Sequence, residues 1–142
     1  MKYFSLAFFL LSLISTSAQS ELIDGNKMLE TINKEIVNID TKQLKAILDK
    51  DPYTVLIDVR TRGEIVQLGT IRRGQNKLVP RGWLEFQIGD HAISKDTPII
   101  VYCGLNLRSP LAAKVLMSMG YTNVRIILTD SLNGKKPACL TQ

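Results

Sequence analysis

Hydrophobic residues fall along this chain in two patterns. Unbroken runs rich in β-branched side chains, at 53–59 and 99–102, predict strands buried on both faces. Apolar positions recurring every three or four residues predict helices between them. Residues 21–35 mix polar and apolar positions with no clear period and predict a loose or weakly helical arm. Asp40 or Thr41 can cap a short helix that sets Leu44, Ile47 and Leu48 on one face. The strand at 53–59 follows Pro52, and a short helix at 62–68 is closed by Gly69. Residues 74–82 read as a loop, with Leu78 and Val79 as a brief strand before Pro80. Trp83, Leu84 and Phe86 suggest an amphipathic turn whose aromatic rings enter the core. After the strand at 99–102, Ser109 as N-cap and Pro110 as first helical residue open the clearest helix. Its Leu111, Val115 and Met119 share one stripe, Ala112 and Leu116 another, and Gly120 ends it. A last strand runs over 124–128. The alternation of strand and helix predicts an α/β domain around a mainly parallel central sheet with helices on both faces.

The first residues follow a different logic. Lys2 supplies a positive charge, and residues 3–14 are apolar except for Ser5 and Ser12. Thr16, Ser17 and Ala18 then place small side chains around a cleavage point after Ala18. The apolar run is short for a ~30 Å hydrocarbon core, which needs roughly twenty residues. Residues 1–18 are therefore expected to be a signal peptide, with an exported, periplasmic product and no stable membrane insertion after cleavage. Residues 19–38 form the arm, 39–128 the folded domain, and 129–142 a short tail.

Composition narrows the field only modestly. A chain of 142 residues suits one domain, and 45% hydrophobic with 22% charged residues are globular proportions. Two cysteines are too few for a disulfide scaffold, and with one histidine no metal site is expected. The net charge of +5 is spread without a basic run, so no nucleic-acid partner is expected. Arg72-Arg73 and Lys135-Lys136 read as solvated surface, as does His91.

The candidate chemistry lies between the strand at 99–102 and the helix that follows. The connection is Cys103, Gly104, Leu105, Asn106, Leu107, Arg108 and Ser109. Beyond the carboxyl end of a parallel strand is where ligand sites form in open α/β sheets. A cysteine there, ahead of a helix N-terminus, meets unpaired backbone N–H groups and the positive end of the helix dipole. Both favour the nucleophilic thiolate, and Arg108 adds a positive charge. The structural alternative is a buried cysteine that merely ends a strand.

These residues resemble a known family. Residues 55–60, then Glu64, then residues 69–71, look like the first motif of rhodanese-like domains. Residues 100–113 with 119–124 look like their active-site loop and following helix. The resemblance implies the rhodanese-like fold and sulfurtransfer without a cofactor. Cys103 matches the cysteine that takes sulfane sulfur from a small anionic donor such as thiosulfate, becomes a persulfide, and passes the sulfur to a thiol or a cyanide-like acceptor. Gly104, Leu105, Asn106, Leu107 and Arg108 match the substrate-binding loop. Asp58, Arg60 and Ser109 match supporting positions. Two departures stand out. Asn106 replaces a glycine common in active members, and Asn is well suited to a left-handed conformation. Gly104 stands where thiosulfate-preferring members often carry a basic residue. Residues 129–137 also replace the family's usual Gly-Gly turn and terminal helix.

Tyrosine phosphatases and arsenate reductases also set Cys and Arg around a loop before a helix, but with one residue more between them than the four found here. A non-catalytic rhodanese-like binding module and a thiol-redox protein using Cys139 remain as alternative functions.

Overall fold

The computed structural model describes residues 22–128. The leader, the tail and Cys139 lie outside the described residues. Five parallel strands form one sheet in the order β1-β5-β4-β2-β3: β1 is Val37–Ile39, β2 Val55–Asp58, β3 Asn76–Leu78, β4 Ile99–Tyr102 and β5 Val124–Ile127. The expected parallel sheet is present, and among the described strands every pairing is parallel.

Strands β2 and β4 lie side by side, with Val55 level with Ile99 and Asp58 level with Tyr102. All their residues are buried, as unbroken apolar runs in a covered sheet require. Their pleat divides the core. Val55, Ile57, Ile99 and Val101 point to one face, with Ile126 of β5. There they meet Ile32 of α1 (Gly25–Glu35), Leu84 of α4 (Leu84–Gln87), and Ala112, Ala113 and Leu116 of α5 (Arg108–Ser118). Leu56, Ile100, Tyr102 and Ile127 point to the other face, against Leu44 and Leu48 of α2 (Thr41–Lys50). Helix α3 (Arg62–Leu68) buries none of its side chains, so its place is set by its ends.

The structure sharpens one expectation, adds a strand and corrects two expectations. Of the two forms expected for the arm, the helical one is present: α1 is an 11-residue helix whose Asp24 accepts hydrogen bonds from the N–H groups of Asn26 and Lys27. It lies against α5, where Lys114 pairs with Glu35. Val37–Ile39 then adds an edge strand to β5, which the sequence pattern does not reveal. The strand expected at Leu78 and Val79 lies earlier, at Asn76–Leu78. Trp83 and Phe86 are outside the core, 60% and 80% exposed. Their rings meet edge to face with centroids 6.4 Å apart, while Leu84 and Ile88 occupy the core positions of that segment.

The remaining signals are realised locally. Asp40 and Gln43 form a reciprocal capping box on α2, and Thr61 and Glu64 form another on α3. Gly120 follows α5 at φ 99, a left-handed conformation that glycine adopts without strain. No helix among the described residues is long and apolar enough to cross a membrane.

Candidate active site

Strand order places the site. From β2 the chain runs outward to β3, and from β4 it runs the opposite way to β5, so the segments leaving these two neighbours diverge. In open α/β sheets ligand sites lie at such a divergence, at the carboxyl edge of the sheet. Val59 and Arg60 leave β2 there, and Cys103 leaves β4 beside them, with the Val59 N–H donating to the Tyr102 carbonyl at 3.1 Å.

Cys103 is 2% exposed, with its side chain on the face covered by α5. Its Sγ lies 3.4 Å from Ser109 Oγ. Burial alone pushes the thiol up. Hydrogen bonding from the Ser109 hydroxyl and from the backbone N–H groups of Ser109, Leu105 and Arg108 outweighs it and holds Cys103 below the ordinary thiol range. The sulfur thus receives donors that open α5, and this explains why Ser109 is not the expected N-cap. Leu107 holds that position with no side-chain cap, Pro110 is the third helical residue rather than the first, and the Ser109 hydroxyl is buried towards the sulfur. Asn106 adopts φ 56, the left-handed turn that brings the loop around.

Arg108 does not stand alone. It forms a two-pronged ion pair with Glu64 of α3: Nη1 donates to Oε2 at 2.8 Å, and Nη2 donates to Oε1. Glu64 also accepts from the Thr61 N–H and hydroxyl. Arg108 and these bonds hold its carboxyl well below the usual range, at about 2. In the sequence Glu64 stands in a motif but carries no site role. Only its capping signature with Thr61 is local; its partner is 44 residues away.

Asp58 and Arg60 form the floor. Asp58 is fully buried, and its carboxylate accepts from Arg60 Nε at 2.8 Å and Nη2 at 2.6 Å. Arg60 also donates to the Gly69 carbonyl and lies over the Tyr102 ring, 5.3 Å from its centroid. Thr70 and Asn76 hydrogen-bond the Tyr102 hydroxyl, tying the ends of β2, β3 and β4 together. Gly104 packs beside these charges: a Cβ there would sit 3.6 Å from Glu64 Oε1 and 3.8 Å from Arg60 Cδ. Leu105 and Leu107 flank the loop, each at least half exposed. The structure therefore gathers Cys103, the loop 104–108, Ser109, Asp58 and Arg60 at one end of the sheet, and adds Glu64. Chemically, this is a buried thiol biased towards its anion, within a ring of N–H donors.

Comparison with known proteins agrees with this architecture. Residues 40–133 match the family described as the rhodanese-like domain. No curated protein matches the chain. Among solved structures, a protein of unknown function from Rhodopseudomonas palustris, described as a possible tyrosine phosphatase, is 27% identical with a TM-score of 0.67, over 84% of this chain and 96% of that one. A polysulfide-sulfur transferase homodimer from Wolinella succinogenes is 24% identical with a TM-score of 0.64, over 75% and 77% of the two chains. A human single-domain sulfurtransferase is 22% identical with a TM-score of 0.55, over 70% and 96%. The last two likenesses are likenesses of fold.

Proposed function

The chain belongs to the rhodanese-like domain family, and on that premise we propose that it is a sulfurtransferase carrying sulfane sulfur as a persulfide on Cys103. The observation that supports this reading is the setting of the sulfur: buried, beyond β4, with Ser109 Oγ at 3.4 Å and three backbone N–H groups directed at it. In the first step the Cys103 thiolate attacks the sulfane sulfur of a donor such as thiosulfate. A new S–S bond forms at Cys103, the donor's S–S bond breaks, and sulfite leaves with the electron pair. In the second step a thiolate or cyanide attacks the outer sulfur, takes it, and returns the Cys103 thiolate. Negative charge resides on sulfur within the loop at both stages, and fixed N–H dipoles stabilise it without rearranging. Leu105, Arg108 and Ser109 supply those dipoles. Asn106 gives the loop its turn, Leu107 leads it into α5, and Gly104 lets the backbone pass close to Glu64 and Arg60. Asp58 and Arg60 hold the ends of β2 and β4 in register beneath the loop.

The test is formation of thiocyanate from thiosulfate and cyanide by the wild-type protein, Cys103→Ser and Cys139→Ser. Wild type and Cys139→Ser should turn over, while Cys103→Ser should not, because an alcohol cannot accept sulfane sulfur in this way. Turnover that survives Cys103→Ser overturns the assignment. Folded wild-type protein that forms no thiocyanate and carries no cyanide-releasable sulfur favours a binding module instead. The description of the R. palustris protein makes aryl phosphate hydrolysis a necessary control. The occupied Arg108 fork argues against a phosphate ligand there.

On the same reading the leader 1–18 is removed and the protein works outside the cytoplasm. N-terminal sequencing of the exported fraction should begin near Gln19, and recovery of Met1 there contradicts it.

A further inference from the structure

The charges around the Cys103 loop cancel in pairs. Arg108 commits two nitrogens to the two oxygens of Glu64. Arg60 commits Nε and Nη2 to the carboxylate of Asp58. Residues 104–107 are Gly, Leu, Asn and Leu and carry no charge. A Cβ at Gly104 would lie 3.6 Å from Glu64 Oε1, 3.8 Å from Arg60 Cδ and 4.0 Å from Arg108 Nη2, so a donor reaching this part of the loop meets a carboxylate as closely as a guanidinium. The exposed side chains of Leu105 and Leu107 make the flanks of the loop apolar.

A dianion gains little from such a mouth. To engage Arg108 it must displace Glu64 from a bidentate pair whose side chains are only 30% and 32% exposed, leaving a carboxylate without its partner. A donor with one negative charge or none, and with a carbon chain to lay against leucine, meets no such penalty. We infer that Glu64 is the specificity-determining residue of this site: by holding Arg108 it keeps the mouth without net charge and selects an alkyl persulfide over dianionic thiosulfate as sulfur donor. The inference rests on the reading of Cys103 as the sulfur carrier. The step balances without a further reagent. The Cys103 thiolate attacks the terminal sulfur of R–S–SH, Cys103–S–SH forms, and R–S⁻ leaves with the electrons of the broken bond.

The experiment measures single-turnover sulfur loading of Cys103 from thiosulfate and from cysteine persulfide, in wild type, Glu64→Gln, Arg108→Gln and the double variant. Glu64→Gln keeps an oxygen for the Thr61 cap while adding one unit of positive charge to the mouth; Arg108→Gln removes one. Wild type should load faster from cysteine persulfide. The thiosulfate-to-persulfide ratio of loading rates should rise roughly five- to tenfold in Glu64→Gln and fall by a similar factor in Arg108→Gln, the order expected of one charge acting across a few ångströms near the surface. The double variant should return to the wild-type ratio. Should Glu64→Gln fail to fold, Arg108→Gln decides the matter through the same ratio. A ratio unchanged across the variants, with both rates moving together, reduces Glu64 to a structural role and overturns the inference. So does a wild type that loads faster from thiosulfate. Failure of the sulfurtransferase reading looks different: no variant, wild type included, loads from either donor.

Discussion

Two residues of the loop region carry consequences that can be measured separately. Asn106 sits at φ 56, where a β-branched side chain is strained. Asn106→Val should cost about 1–3 kcal/mol in denaturant unfolding and slow sulfur loading, whereas Asn106→Gly should preserve the loop's path. Equal stability of the two variants would show that the turn is not held as described. Glu64 makes a different prediction. Its carboxyl is held at about 2 in the folded protein, chiefly by Arg108, against an ordinary value of 4.5. A depressed carboxylate stabilises the fold fully above its unfolded value and loses that contribution as pH falls through the folded one. Between about pH 4.5 and pH 2, wild type should therefore lose more stability than Glu64→Gln. Parallel acid limbs for the two proteins in urea titrations would contradict the ion pair.

At the level of elements, the buried pair at the end of β2 holds the strand ends together beneath the loop. Asp58→Asn leaves the Arg60 guanidinium, only 9% exposed, without its countercharge. Breaking such a pair costs about 3–5 kcal/mol, so the melting temperature should drop clearly. A melt within a degree of wild type would show that Gly69 and the Tyr102 ring suffice to hold Arg60. The same elements show what the sequence could reveal. The runs in β2 and β4 and the repeats in α2 and α5 are legible because burial on one face, or both, imposes a period on them. The three residues of β1 are too few for a period, with only Ile39 buried, and the strand exists because β5 has an edge to pair with. Helix α1 does carry a stripe, Leu29, Ile32 and Ile36 at helical spacing, but only Ile32 within the helix is buried, and polar residues between them obscure the period. Ser109 followed by Pro110 carries a start signal, yet α5 begins at Arg108 because the sulfur accepts N–H bonds where a cap would. Trp83 and Phe86 satisfy a helical spacing, but so do Leu84 and Ile88, and the smaller side chains are the ones packed under α4 and its flanks.

At the scale of the whole molecule, the parallel sheet brings the carboxyl ends of all five strands to one edge, and the reversal between β2 and β4 falls there, where open α/β sheets place their sites. The candidate site was legible as a loop because Cys103 through Ser109 are contiguous in sequence. The Glu64–Arg108 pair was not, since it joins two segments that meet only when β2 and β4 pair. The central claim is that Cys103 carries transferable sulfur, and intact-mass spectrometry tests it most directly. Reduced wild-type protein is incubated with thiosulfate and, separately, with cysteine persulfide, then treated with cyanide. The account predicts a gain of one sulfur atom, mapped to the peptide containing Cys103, removed by cyanide, and absent from Cys103→Ser. Folded wild-type protein that gains no sulfur from either donor, or gains it on Cys139 alone, would contradict it.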